Sequence, residues 1–98
     1  MVIEQKRNYE LMFIVSPESN EDQVIATAEK IGEFVTGHGG TVSDQDNWGL
    51  RQLAYPIQRF HEGTYILIKF ELDAENLLEL SRVLNASEDV LRHLVTKA

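Results

Sequence analysis

The chain has 98 residues, no cysteine and a formal net charge of −7 at pH 7. This length allows one domain with one core, and the absence of thiols excludes disulfides, thiolate zinc sites and cysteine nucleophiles. Residues 1–8 are polar and mixed in charge, unlike a secretory signal. The longest apolar run, residues 11–15, is far shorter than the ~20 residues of a membrane span. We therefore expect one soluble, cytoplasmic domain over residues 1–98.

The first half of the chain predicts a strand followed by a helix. Residues 8–16 are rich in aromatic and branched side chains and stop before Pro17, which is typical of a strand. Asn20, with Gln23 three residues later, resembles a capping box and begins the helix. The glycine-rich residues 37–40 end it. Its apolar stripe, at helical spacing, consists of Val24, Ile25, Ala28, Ile31, Phe34 and Val35.

A hairpin is predicted next. Residues 41–57 are extended, with a bulge expected at Trp48 and Gly49. Pro56 cannot donate to a ladder, so this strand lies at a sheet edge or ends there. A turn at residues 60–63 then leads into the apolar strand 64–72.

The last part of the chain predicts a second helix and a fourth strand. Asp73 caps the helix, and residues 90–97 form the strand. The helical stripe consists of Leu77, Leu78, Leu80, Val83 and Leu84.

The resulting order, β-α-β-β-α-β, predicts the α+β ferredoxin-like split βαβ fold. Right-handed crossovers give a four-stranded antiparallel sheet in the spatial order 4-1-3-2, with both helices on one face. Along the first strand, Met12 and Ile14 point to the face without helices, which makes that face more apolar than contact with water requires. It is either a partner surface or an ordinary surface.

The acidic residues are concentrated in the two predicted helices. Residues 18–37 and 73–89 each carry −4, whereas residues 48–72 carry +1 and residues 90–98 carry +2. This division favours one working surface on the sheet, although acidic helices also serve solubility.

The most distinctive segment is Gly-Leu-Arg-Gln-Leu-Ala-Tyr-Pro-Ile at residues 49–57. Gly40 precedes its strand and Gly63 follows it, while Tyr9 and Glu10 begin the first strand. From about residue 7 to residue 97, with these spacings, the chain resembles the bacterial-type small ribosomal subunit protein S-six family.

The resemblance implies a structural constituent of the small ribosomal subunit that is not an enzyme and holds no cofactor or metal. Such proteins bind the central domain of the small-subunit (16S-type) rRNA together with a small basic partner, ribosomal protein S-eighteen. Members often carry a second basic residue where this chain has Gln52, and can be basic where it has Leu91, so fewer RNA contacts are expected here.

Six residues are candidates for these roles. Matching basic positions make Arg7, Arg92 and Lys97 the predicted RNA-binding residues. On the motif strand, Trp48, Arg51 and Tyr55 are the predicted partner-protein-binding residues, since aromatic and arginine side chains anchor interfaces. Each also has an ordinary alternative: Trp48 and Tyr55 could cover the sheet edge or core, and the charged residues could simply be solvated.

Three other functions share this strand order. An RNA-recognition-motif-like binder of single-stranded RNA needs several base-stacking aromatic residues, but strand 64–72 offers only Tyr65 on the face without helices. An acylphosphatase-like hydrolase needs an arginine in an anion-binding loop, and residues 16–19 contain none. A homodimeric ligand-sensing domain needs a ligand pocket. His38, His61 and His93 lack metal-ligand spacing.

Overall fold

The computed structural model describes residues 6–97. Residues 1–5 and 98 lie outside this range, together with the expectations that concern them. The elements are β1 (Lys6–Val15), α1 (Glu21–Gly37), β2 (Thr41–Ile57), β3 (Phe60–Asp73), a 3₁₀ turn (Ala74–Asn76), α2 (Leu77–Ala86) and β4 (Val90–Lys97).

The four strands form one antiparallel sheet in the order β2-β3-β1-β4, so the predicted fold is confirmed. Both helices pack on one face of it. The core between helices and sheet consists mainly of Tyr9, Leu11, Phe13, Val15, Val24, Ala28, Ile31, Val35, Ile66, Ile68, Phe70, Leu72, Leu80 and Leu84. We call the opposite side of the sheet the open face.

Helix α1 begins and ends as its sequence predicts. The Asn20 side chain accepts a hydrogen bond from the Gln23 backbone N–H at 2.8 Å, and Gln23 Oε1 accepts one from the Asn20 backbone N–H, also at 2.8 Å. Each satisfies a donor that the first helical turn leaves unpaired. At the other end Gly39 adopts a φ of 81°, a conformation that glycine reaches without steric cost.

Two large apolar residues of the predicted stripes are exposed. Ile25 is 47% exposed on α1 and Leu78 is 66% exposed on α2. At 3.6 residues per turn, Ile25 is rotated by about 100° from Val24, and Leu78 by roughly 160° from Leu80. Leu78 therefore faces away from the sheet and Ile25 lies at the side of α1, so the assignment of both to the stripes is wrong.

The hairpin turn is also not where the sequence predicts it. Gln58 and Arg59 form a two-residue turn between the paired Ile57 and Phe60, and Gln58 has a φ of 59°. Residues 60–63 belong to β3 instead. Gly63 is paired with Arg51 there, and a Cβ on Gly63 would lie 2.5 Å from Ile14 Cγ2. Close packing on β1, rather than a turn, thus explains this glycine.

Other local predictions are confirmed with shifted boundaries. The pairing of β2 with β3 shifts between Asn47 and Gly49, and Gly49 has a φ of 80°, which is the expected bulge. The Asp73 carboxylate accepts from the Glu75 N–H at 3.1 Å. It therefore caps the 3₁₀ turn rather than α2 itself, which begins four residues beyond Asp73, at Leu77.

Candidate interface on the open sheet face

Three rows of side chains cross the open face from β3 through β1 to β4. Antiparallel pairing places directly opposite residues side by side on one face. The first row contains Tyr65, Ile14 and Arg92, the second Leu67, Met12 and Leu94, and the third Lys69, Glu10 and Thr96. The face is therefore mainly apolar at one end, whereas its third row is polar and contains a 3.9 Å ion pair between Lys69 Nζ and Glu10 Oε1.

We call the second half of β2, residues 48–57, the arm. Residues 49–52 of the arm are paired with β3, and beyond them Leu53, Tyr55 and Ile57 lean over the apolar end of the open face. The pairing of the arm with β3 shifts between Gln52 and Ile57, which frees the intervening residues from the regular ladder. Together the arm and the sheet enclose a groove of about 270 Å³, lined from the arm by Leu53, Tyr55 and Ile57 and from the sheet by Met12, Ile14 and Leu94. Ile14 is only 8% exposed although no helix covers it, because the arm does.

A contact between Tyr55 and Arg92 joins the arm to β4, at the far edge of the sheet. The Arg92 guanidinium donates a hydrogen bond to the Tyr55 hydroxyl oxygen. Its carbon Cζ also lies 5.8 Å from the centroid of the Tyr55 ring, within the range of a cation–π interaction. Tyr55 nevertheless remains 56% exposed, so most of its ring is available to another molecule.

Trp48 and Arg51 form a second pair at the base of the arm. The Arg51 guanidinium carbon lies 5.4 Å from the centroid of the Trp48 ring, and Arg51 Nε donates to the Trp48 carbonyl oxygen at 3.4 Å. The indole N–H donates to Asp46 Oδ2 at 3.0 Å. Trp48 is thus held in one orientation while 41% of its surface stays exposed.

The predicted site residues do not form a single site in the structure. The three candidates for partner binding all lie on the arm, but they do not form one cluster: Trp48 pairs with Arg51, and Tyr55 pairs with Arg92. Of the candidates for RNA binding, only Arg92 is on the open face.

Arg7 and Lys97 lie at the other end of the sheet and on its other side. Arg7 is paired with Leu72 and Lys97 with Tyr9, and both of those partners are buried under the helices. Paired residues point to the same face, so Arg7 and Lys97 are on the helix side. Both side chains are exposed.

Some residues of these surfaces were not predicted as site residues. The groove is also lined by Leu53, which belongs to the motif at residues 49–57 but was not predicted as a site residue, and by the exposed Leu94, which lies outside any motif. At the hairpin tip Arg59 forms a 3.0 Å ion pair with Glu18, beside a polar groove that Glu88 and Asp89 also line. Arg59 is separated from Glu18 by 41 positions in sequence, so local sequence patterns could not reveal the pair.

Across residues 6–97, no group of three or more histidine or acidic side chains is arranged to hold a metal ion. Within the same range, no helix combines the length and apolar character needed to cross a membrane.

Comparison with known proteins agrees with this architecture. The family model for "Ribosomal protein S6" matches residues 8–97. "Small ribosomal subunit protein bS6" of Desulforamulus reducens is 40% identical over 91 residues, 93% of this chain and 96% of that protein. The protein of the same name from Moorella thermoacetica is 37% identical over 91 residues, 93% of each chain. The crystal structure of 30S ribosomal protein S6 from Thermotoga maritima is similar with a TM-score of 0.90, at 28% identity, covering 96% of this chain and 89% of that one.

The sheet order and these matches together define a structural protein of the small ribosomal subunit, a class whose members are not enzymes and are located on the ribosome in the cytoplasm. The chain belongs to the ribosomal protein S6 family. The resemblance based on residues 49–57 is thereby confirmed. The RNA and partner contacts of individual residues remain predictions.

Proposed function

We propose that this chain binds the central domain of the small-subunit rRNA jointly with a small basic protein, ribosomal protein S-eighteen, which docks on the arm and the open face. The observation that carries this proposal is the groove beneath the arm. Exposed Tyr55 lines it from the arm, and apolar Met12 and Ile14 form its floor. Trp48, also exposed, lies at the base of the same arm. A continuous apolar surface bordered by polar residues is typical of a protein interface.

The charge of the chain supports a joint mode of binding. Affinity for RNA comes mainly from lysine and arginine at phosphates, but this chain carries 16 acidic against 9 basic residues. Residues 18–37 and 73–89, which contain both helices, each carry −4. A basic partner would be attracted to such a molecule and would supply the positive charge that it lacks.

The arm offers the partner a surface that is already ordered. Arg51 and Asp46 hold Trp48 on two sides, and Arg92 holds Tyr55. Because these rings are restrained before binding, less side-chain entropy is lost when a partner covers them. Buried aromatic and arginine residues also contribute most to the binding free energy of typical interfaces.

In this arrangement, the basic residues contact RNA on either side of the partner. Arg92 lies beside the groove, so a phosphate bound there would lie close to the docked protein. Arg7 and Lys97 would bind a second phosphate segment at the opposite end of the sheet. We infer that two separated, weak contacts, rather than one basic patch, connect this chain to RNA.

A filter-binding experiment with and without the basic partner tests the proposal. The isolated chain is expected to bind the rRNA fragment weakly and the pair tightly. Arg92→Gln should weaken binding by the pair and reduce the slope of log K against log salt by about one. The matched control is Arg82→Gln on α2, where the arginine pairs with Glu79 on the helix surface. Strong binding without the partner would contradict the proposal.

The alternative of an RNA-recognition-motif-like binder has less support. That function needs aromatic rings on the open face that are free to stack on bases. Tyr65 lies in the row of Ile14 and Arg92 and forms part of the groove wall under the arm. Tight binding of single-stranded RNA by the isolated chain would favour this alternative.

A further inference from the structure

The contact between Tyr55 and Arg92 connects two sites that the proposed function keeps separate. Tyr55 belongs to the surface for the partner protein, and Arg92 is the arginine on the open face assigned to RNA. Tyr55 is on edge strand β2 and Arg92 on the opposite edge strand β4, with β3 and β1 between them. Their contact therefore depends on the position of the arm.

We propose that Tyr55 is a positioning residue for Arg92, so that docking of the partner on the arm orients the guanidinium toward an RNA phosphate. This inference rests on the proposed function and concerns how its two binding events are coupled. The isolated chain already makes this contact, through the Tyr55 hydroxyl oxygen and ring, and a partner covering Tyr55 would keep both side chains in it while RNA binds.

The chemistry of the two side chains suits this role. A guanidinium has five N–H donors in a fixed plane. Tyr55 occupies one nitrogen, Nη1, which leaves the other edge of the plane able to face a phosphate. Both side chains are exposed, so without restraint Arg92 would sample many rotamers. Restraining it before RNA arrives lowers the entropy lost on binding.

The coupling is expected to be reciprocal. If the partner improves the binding of RNA through Tyr55 and Arg92, then RNA must improve the binding of the partner by the same factor. The arm covers Ile14 and is connected to β4 by this contact, so both binding events act on one structural element. A physical connection between the sites is thus present without any change of fold.

A double-mutant cycle on the chain bound to its partner tests the inference. Tyr55→Phe removes the hydroxyl and keeps the ring, and Arg92→Gln removes the charge. Tyr55→Phe is expected to lower the affinity of the pair for rRNA about three- to tenfold, with the salt slope unchanged because the arginine is still present. In the Arg92→Gln background the same substitution should have an effect of less than about twofold.

The control is Tyr65→Phe, which removes a tyrosine hydroxyl from the same groove. Tyr65 is two strands away from Arg92, about 10 Å at the usual strand spacing, so its effect should be additive with that of Arg92→Gln. Because Tyr55 is largely exposed, Tyr55→Phe should fold normally, and thermal unfolding checks this. Equal effects of Tyr55→Phe with Arg92 and with Gln at position 92 would overturn this inference but not the proposed function. Failure of the unsubstituted pair to bind rRNA would overturn the proposed function itself.

Discussion

At the scale of single residues, α1 and α2 differ in how they begin. Asn20 accepts a hydrogen bond from the Gln23 N–H, whereas Asn76, at the equivalent position of α2, makes no side-chain capping bond. The same residue type therefore stands at two helix starts with different hydrogen bonding. Capping contributes only where the side chain reaches a free N–H.

We expect Asn20→Ala to lower the free energy of unfolding by about 1 kcal/mol, since the first turn of α1 loses its capping bond. Urea unfolding at equilibrium measures this change. Asn76→Ala is the matched control and should change the stability by less than about 0.5 kcal/mol. Equal losses in both variants would show that the bond at Asn20 contributes little.

A second prediction concerns two glycines near the end of α1. A Cβ on Gly40 would lie 2.4 Å from the Glu71 carbonyl oxygen, so Gly40→Ala must displace backbone and should destabilise the protein by about 1–3 kcal/mol. At Gly37, in α1, a Cβ would meet nothing within 4 Å. Gly37→Ala should therefore stabilise the protein by about 0.5 kcal/mol, because alanine favours the helix. Thermal unfolding of both variants measures these two opposite changes in stability.

The sequence predicts the candidate site only in part. The motif at residues 49–57 indicates Arg51 and Tyr55, Trp48 directly precedes it, and all three lie on the exposed arm. Alternation along β1 could have placed Arg7 on the helix side, since it shares the parity of buried Tyr9. The pairing of Tyr55 with Arg92 joins positions 37 residues apart, and no local pattern determines how an arm folds over a sheet.

At the scale of elements, the order and type of strands and helices follow from periodicity, but one turn does not. The turn at Gln58 and Arg59 carries no glycine, proline or asparagine, the residues that normally indicate a turn. Gly63 does carry such a signal, although its reason is close packing against Ile14. A glycine fits a sharp turn and a crowded strand equally well, so sequence alone could not separate the two.

The orientation of α2 gives a third prediction. Leu84 is buried in the core, whereas Leu78 is 66% exposed on the same helix. Leu84→Ala should lower the free energy of unfolding by about 2–5 kcal/mol because it leaves a cavity, while Leu78→Ala should change it by less than about 0.5 kcal/mol. Denaturant titration distinguishes them. A large loss for Leu78→Ala would mean that this leucine is buried in solution.

At the scale of the whole molecule, negative charge and apolar surface lie on opposite sides. The exposed Glu29 and Glu33 lie on α1, behind the sheet, and the groove lies in front of it. Acidic residues remote from the contact surface act over a distance, raising the rate of encounter with a basic partner rather than the lifetime of the complex.

Stopped-flow association with the basic partner tests whether the acidic residues on α1 change the rate of encounter and leave the lifetime of the complex unchanged. The double variant Glu29→Gln, Glu33→Gln should associate more slowly than the unsubstituted chain, by at most about tenfold, and dissociate at the same rate. Lys30→Gln, on the same helix, is the control and should accelerate association. High salt should diminish both effects. A change confined to the dissociation rate would place the partner on the helices instead.

The irregular pairing of β2 has a consequence for the molecule at high concentration. An edge strand exposes unpaired amide and carbonyl groups and can recruit a strand from a second copy. The ladder of β2 with β3 is interrupted at three places, after Val42, Asn47 and Gln52. A strand interrupted in this way presents no evenly spaced row of amide and carbonyl groups. Pairing of a second copy with the β2 edge, which would extend the sheet, is therefore disfavoured.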